Sequence, residues 1–125
     1  MERAVIIRTT GERAVVGFNK GDSYDLLSKT VGGLIELVRL TEHNADMWVN
    51  EEGKYSGLTQ NPIATALWAD MYGTTDLIMG NVIITADDGE GETVGLSDDQ
   101  VKFFMDYNKN VIYMGQPTDF NAELV

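Results

Sequence analysis

Residues 47–100 constrain the fold most, because they place six structural signals in close succession. Their order is strand, turn, capped helix, strand, acidic loop and capped helix, with little sequence between them. Short strands that alternate with short helices predict a mixed α+β domain. A chain of 125 residues has the length of one domain and is long enough to bury a single core. None of the six segments contains a reaction motif.

Three helix starts are recognisable from their capping residues. Asn61-Pro62 is a strong start, because asparagine accepts a free amide and proline suits the first helical position. Ser97 with Gln100 three residues later forms a capping box. Ser23 is expected to cap an earlier helix, which the Gly-Gly pair at residues 32–33 ends. The sequence therefore predicts about three helices.

The remaining apolar segments have the length and residue content of strands. We predict strands over residues 4–8, 14–18, 34–40, 46–50, 76–79, 81–85 and 111–114. Gly53 is expected to give the turn at residues 51–54 its positive φ. The predicted fold is a single α+β domain, with a mostly antiparallel sheet and the helices packed on one side.

Composition and charge exclude several classes of protein. The chain has no cysteine, which excludes disulfides, zinc–thiolate sites and thiol catalysis. Residues 1–42 hold six acidic and six basic residues, whereas residues 43–125 hold fourteen acidic and three basic ones. The net charge of −11 argues against direct nucleic-acid binding, which needs clustered lysine and arginine. No apolar run reaches the ~20 residues of a membrane helix, so a cytoplasmic protein without membrane contact is expected.

Five segments, in this order and spacing, resemble the DUF3846 family. They are VGGLIELV (31–38), MWVNEEGK (47–54), NPIATALW (61–68), DLIMGNVIIT (76–85) and GETVGLSDDQ (91–100). The resemblance implies a DUF3846-like α+β domain over residues 1–108 and a strand and tail over residues 109–125. It also implies an origin in actinobacteria, their phages or mobile elements. It implies no catalytic residues, because the family is a domain of unknown function.

No residue set carries a recognisable catalytic, metal or cofactor chemistry. His43 is the single histidine and falls in a polar turn, so a solvated side chain is the simpler interpretation. Glu51 and Glu52 are adjacent in a turn, where side chains diverge. The acidic loop at residues 87–95 lacks the regular ligand spacing of an EF-hand, although weak cation binding stays open. We therefore predict no catalytic residues, no metal site and no cofactor.

The most interesting polar set is Asn50, Lys54, Asn61 and Thr65. Free amides at a helix start bind anions, and Lys54 is the only basic residue between Arg39 and Lys102. These four residues are the predicted binding site for a small anionic ligand. The alternative is that they form an ordinary helix cap and hairpin turn.

Two aromatic residues, Trp48 and Tyr72, are the predicted contacts with a protein partner, because tryptophan and tyrosine are favoured in interface hot spots. The leading hypothesis is a non-catalytic phage or mobile-element protein that sequesters a host protein or a small nucleotide-like signal in counter-defence. The alternative is an acidic DNA mimic that inhibits a host DNA-binding protein, and an enzyme ranks last.

The apolar tail predicts a homo-oligomer, most simply a dimer. Its apolar residues need a surface on which to be buried: Val111, Ile112, Tyr113, Met114, Phe120, Leu124 and Val125. Light scattering of the purified chain at high micromolar concentration should give the mass of a dimer. A clean monomer at that concentration would contradict the prediction.

Overall fold

The computed structural model describes residues 1–109, which form one small domain with a sheet and three helices. The strands are β1 (Glu2–Ile7), β2 (Arg13–Phe18), β3 (Ile35–Leu40), β4 (Ala45–Asn50), β5 (Val82–Asp87) and β6 (Thr93–Val94). The helices are α1 (Tyr24–Val31), α2 (Pro62–Tyr72) and α3 (Asp98–Asp106), and a 3₁₀ turn (Thr41–His43) joins β3 to β4. The predicted α+β class is confirmed.

The sheet has the strand order β2-β1-β5-β4-β3, and β6 pairs with the end of β5. Every pairing of these strands is antiparallel, as predicted. β5 lies in the centre and is buried on both faces, whereas β2 and β3 form the two edges of this order. The edge formed by β3 borders the candidate site.

The two faces of the sheet each carry a hydrophobic core. Val5 of β1 belongs to one core, and its neighbour Ile6 belongs to the other. α2 and α3 cover the first face through Leu67 and Phe104, whereas α1 covers the second face through Leu27. The prediction that the helices pack on one side is therefore wrong. Central strands that are apolar on both faces need a cover on both faces.

The start of α2 is tied into the middle of the domain by one asparagine. The Asn61 side-chain oxygen accepts a hydrogen bond from Ala64 N at 3.1 Å. Its amide nitrogen donates to the carbonyls of Ile7 and Gly80, each at 3.0 Å. The backbone N–H of Asn61 also donates to Ile78 O at 2.8 Å. One fully buried side chain thus joins α2, β1 and the loop before β5.

Three local expectations differ from the structure. Ser23 has helical backbone angles and makes no side-chain cap bond, because a capping residue needs an extended backbone. Gly53 has no positive φ; a Cβ there would lie 3.1 Å from Met79 O, which is a tight contact with the neighbouring backbone. Residues 76–79 form no strand beyond an isolated bridge between Gln60 and Met79, because Gly80, with φ of 88°, turns the chain before β5.

The predicted strand at residues 111–114 and the apolar tail lie outside the described residues. The boundary between the predicted domain and the tail, at residues 108 and 109, is therefore not tested. Among the described helices, none combines the length and apolar character that crossing a bilayer requires.

Asn61→Ala should lower the free energy of unfolding by about 3 kcal/mol. The substitution removes a helix cap, worth about 1 kcal/mol, and leaves two buried carbonyls without a donor, at about 1–3 kcal/mol. Ser97→Ala is the matched control, because Ser97 caps α3 on the surface and should cost only about 1 kcal/mol. Urea unfolding measures both variants. Equal losses would contradict the structural role of Asn61.

Candidate functional site

An open groove of about 580 Å³ runs along β3 on the α2 side of the sheet. This volume lies within the range of ordinary ligand pockets, about 300–1,000 Å³. We call it the β3 groove. Its lining comes from β3, the end of β4 with the following turn, α2 and the loop before β5: Glu36, Leu37, Val38, Arg39, Val49, Asn50, Glu51, Gly53, Lys54, Tyr55, Trp68, Tyr72, Asp76, Leu77, Ile78 and Met79.

Every second residue of β3 points its backbone groups into open space at the edge of the sheet. Glu51 N donates to Leu34 O at 2.9 Å, which fixes the hydrogen-bonded pairs between β3 and β4. Because such pairs alternate, the backbone groups of Ile35, Leu37 and Arg39 point away from β4. Within residues 1–109, only the Arg39 carbonyl among these groups has a partner.

Aromatic side chains form one wall of the β3 groove. The rings of Trp68 and Tyr72 pack on each other, with centroids 4.5 Å apart. The Tyr72 hydroxyl donates to Arg39 O at 2.5 Å, and Trp68 Nε1 donates to Thr75 Oγ1 at 3.2 Å. Tyr55 is 92% exposed on the facing turn. The rings of Trp68 and Tyr72 are therefore fixed on α2 by hydrogen bonds, whereas the ring of Tyr55 on the turn is exposed.

Two cations occur among the lining residues, and each contacts a carboxylate. The Arg39 side chain points with Asp46 to the α1 face of the sheet, so Arg39 lines the groove through its backbone. Lys54 pairs with Asp76. Arg39 Nε lies 2.9 Å from Asp46 Oδ1, although the geometry of that contact does not make a hydrogen bond. Glu36 and Glu51 are exposed, and neither makes an ion pair with any described residue. The groove thus carries two carboxylates without a counter-charge.

Asp46 is a buried carboxylate, with only 4% of its side chain exposed. Burial raises its pKa above the ordinary value, because the charged form loses its hydration. Arg39 opposes this effect, and the negative charge of Asp87 adds to it. The carboxylate orients Arg39 and is itself held in an unfavourable place.

The structure separates the predicted ligand-binding residues. Asn50 and Lys54 line the groove, and the Asn50 amide donates to Val31 O at 3.0 Å. Asn61 and Thr65 are completely buried, and the Thr65 hydroxyl accepts from Ile78 N at 2.9 Å. The start of α2 is therefore covered, and its cap is occupied by the protein's own groups. Binding by these four residues is not tested and stays a prediction.

The predicted partner-binding residues lie on opposite faces of the sheet. Tyr72 lines the β3 groove, whereas Trp48 packs on the second core and donates to Thr85 Oγ1 at 2.9 Å. Sequence reasoning missed Glu36, Arg39 and Tyr55 as groove residues. No pattern in the sequence indicates that the exposed Tyr55 lines the groove. The other two become groove residues because β3 is an edge strand, and no periodicity in the sequence reveals the strand order.

His43 lies away from the groove, and its ring stacks on Phe103 with centroids 4.4 Å apart. In the acidic loop, the Asp88 carboxylate accepts hydrogen bonds from Glu90 N at 2.7 Å and Glu92 N at 3.1 Å. These bonds lower the pKa of Asp88, because they stabilise its charged form. The Asp88 carboxylate therefore stabilises the backbone of its own loop.

Asp46→Asn should raise the stability at neutral pH and leave it unchanged at low pH. The pKa of Asp46 in the folded state lies above the unfolded value of about 3.9. Between the two values the folded state binds more protons, so this carboxylate lowers stability as the pH rises. Arg39, left unpaired, costs little because 45% of its side chain is exposed.

Urea unfolding of wild type and Asp46→Asn from pH 3.5 to pH 8 measures the effect. The advantage of the variant should grow as the pH rises through this range. Glu36→Gln is the control, because it removes one carboxylate from an exposed position instead of a buried one. A constant difference for Asp46→Asn, or an advantage of the wild type that grows with pH, would contradict the account.

The comparison with family models now identifies the chain. The model of the domain of unknown function DUF3846 matches residues 1–109, which is most of the 125 residues. Neither the curated proteins nor the solved structures include a significant match. The match covers every strand and helix described above, including all the residues that line the β3 groove. The chain belongs to the DUF3846 family.

Proposed function

We propose that this protein is a non-catalytic binding protein that sequesters a host protein through the β3 groove. The observation that carries the proposal is an open groove of about 580 Å³ with an exposed aromatic rim, beside a sheet edge that no element of residues 1–109 covers. Tyr55 and Tyr72 are large side chains that are exposed there. Aromatic residues in such a position are typical anchors of protein interfaces.

The lining of the groove supports binding rather than catalysis. Its described residues include no histidine, serine, threonine or cysteine, so it lacks the hydroxyl or thiol nucleophile and the histidine base of a catalytic triad. The amine of Lys54 is held by Asp76. Tyr72 uses its hydroxyl to bond the backbone of β3. These polar groups position the wall of the groove.

The charges favour a protein over a small nucleotide-like signal. Phosphate groups are usually held by cations, and Lys54, the cation of the described residues whose side chain lines the groove, already contacts a carboxylate. Glu36 and Glu51 would repel an anion. A protein segment has no such conflict. The predicted anionic ligand is therefore the weaker of the two proposals for the partner.

The resemblance to DUF3846, a family of actinobacteria, their phages and mobile elements, motivates the rest of the proposal. We propose that the protein acts in the cytoplasm of a bacterial host as a counter-defence factor. The DNA-mimic alternative ranks second, because mimicry needs carboxylates spaced along an exposed ridge. Asp87 and Asp88 instead accept hydrogen bonds from the amides of their own loop.

Tyr55→Ala should weaken binding of the host partner at least tenfold, a loss of about 1.4 kcal/mol and typical of an interface anchor. Tyr24→Ala is the matched control, since Tyr24 is an exposed tyrosine of α1, which covers the opposite face of the sheet. Neither substitution should change the melting temperature, because Tyr24 is 57% exposed and Tyr55 92% exposed.

The wild-type protein is immobilised to capture its partner from actinobacterial lysates, and the captured protein is then purified and titrated by calorimetry. A Kd that weakens for Tyr55→Ala and holds for Tyr24→Ala supports the proposal. Equal affinities of all three proteins would place binding outside the groove. Failure of the purified candidate to bind, or consumption of a substrate by the complex, would also overturn it.

A further inference from the structure

We propose that the β3 groove takes an extended peptide strand, which pairs with β3 and carries a basic residue two positions from a bulky apolar residue. This inference rests on the proposed function. It adds the conformation of the bound segment and the chemistry of its side chains. Addition of a strand to an open sheet edge is a general mode of peptide recognition, in which backbone bonds give affinity and alternate side chains give specificity.

The backbone of β3 is ready to accept another strand. Both backbone groups of Ile35 and Leu37 point away from β4 and make no hydrogen bond within the described part of the chain. An open edge is normally protected by bulges, prolines or a covering element. β3 has six regular residues and no proline, and 41% of Leu37 is exposed. The edge therefore stays available to a partner.

The side chains of β3 set the spacing of the bound peptide. Glu36 and Val38 point to the α2 side of the sheet, where the groove lies, because successive residues alternate between faces. A strand paired with β3 presents every second side chain to that same side. Two of its residues, two positions apart, therefore face Glu36 and Val38. This relation holds for a parallel and for an antiparallel peptide.

The end of the groove near Glu36 favours a basic residue. Glu36 pairs with Val49, and Glu51 pairs with Leu34, so the two glutamates are diagonal neighbours on one face. Neither makes an ion pair with a residue among 1–109. A lysine or arginine of the peptide would lie within reach of both carboxylates. Both contacts would be charge-assisted hydrogen bonds.

The other end of the groove favours a bulky apolar residue. Val38 is buried there, and Trp68 and Tyr72 of α2 form the wall beside it. The hydrogen bond from the Tyr72 hydroxyl to Arg39 O fixes that wall against the strand. A peptide side chain opposite Val38 would contact these aromatic rings. The acidic end and the aromatic end thus define the two residues of the proposed motif.

Charge also argues for a foreign peptide over a copy of this chain. If β3 paired with itself around Leu37, the two Glu36 residues would become diagonal neighbours without a basic residue between them. The chain's own residues 110–125 contain two acidic residues and no basic one. Neither occupant supplies the positive charge that Glu36 and Glu51 lack. The partner segment is therefore a basic and apolar strand of another protein.

A library of random 12-residue peptides displayed on phage and selected on the full-length protein tests the inference. The selected peptides should share a lysine or arginine two positions from a bulky apolar residue. The best peptide is then synthesised in two forms, each N-methylated on alternate residues. Because only alternate amides face β3, one form should bind at least tenfold more weakly and the other should bind like the parent.

Protein variants give the complementary test with the same peptide. Leu37→Pro removes the outward N–H and should weaken binding at least tenfold, whereas Leu37→Ala keeps that N–H and should change the Kd less than threefold. A second peptide carries glutamine in place of the basic residue, and wild type should bind it more weakly than the parent peptide. The double variant with Glu36→Gln and Glu51→Gln should bind both peptides with equal affinity. If Leu37→Pro does not fold, the two N-methylated peptides decide.

Three outcomes would overturn strand addition. They are a selection that enriches no peptide, a consensus without a basic residue, and equal binding of both N-methylated forms. The proposed function fails separately, through its own test with Tyr55→Ala and the purified host protein. If Tyr55→Ala weakens the binding of the host protein while both N-methylated peptides bind equally, the groove is the binding site and its occupant is not a strand.

Discussion

The buried side-chain amide of Asn61 is the interaction on which the rest of the structure depends. It closes the first turn of α2 and at the same time bonds carbonyls of β1 and of the loop before β5. Because the Asn61 side chain is fully buried, bulk water does not compete for these bonds. The amide therefore fixes where α2 lies over the sheet. Because Trp68 and Tyr72 belong to α2, the position of the groove wall that they form depends on the hydrogen bonds of Asn61.

The groove follows from how the sheet is covered. α2 lies over the first core and reaches β3 through its last turn, where Tyr72 bonds Arg39 O. The turn after β4 passes close to Met79, since a Cβ at position 53 would lie 3.1 Å from the Met79 carbonyl oxygen, which is a tight contact. Between these two contacts, no element of the described residues 1–109 covers the edge of β3. The same packing that stabilises the domain leaves the binding surface open.

The sequence predicts the local elements well because their signals are local. The caps at Asn61 and Ser97 and the strand at residues 46–50 are each confirmed. The strand order is decided by contacts between distant residues, so no pattern indicates that β3 is an edge. For the same reason the Asn-Pro pair predicts a helix cap, but it does not indicate that Asn61 is buried beneath other parts of the chain. The sequence likewise does not indicate that Trp48 and Tyr72 lie on opposite faces of the sheet.

Strand addition requires that β3 be an open edge in the free protein, and amide hydrogen exchange of the full-length chain measures this directly. We expect the N–H of Leu37 to exchange quickly and the N–H groups of Glu36 and Val38 to be protected by their bonds to β4. A Leu37 amide as protected as that of Val38 would mean that the edge is already covered. That result would contradict the central claim, because no partner strand could then add to β3.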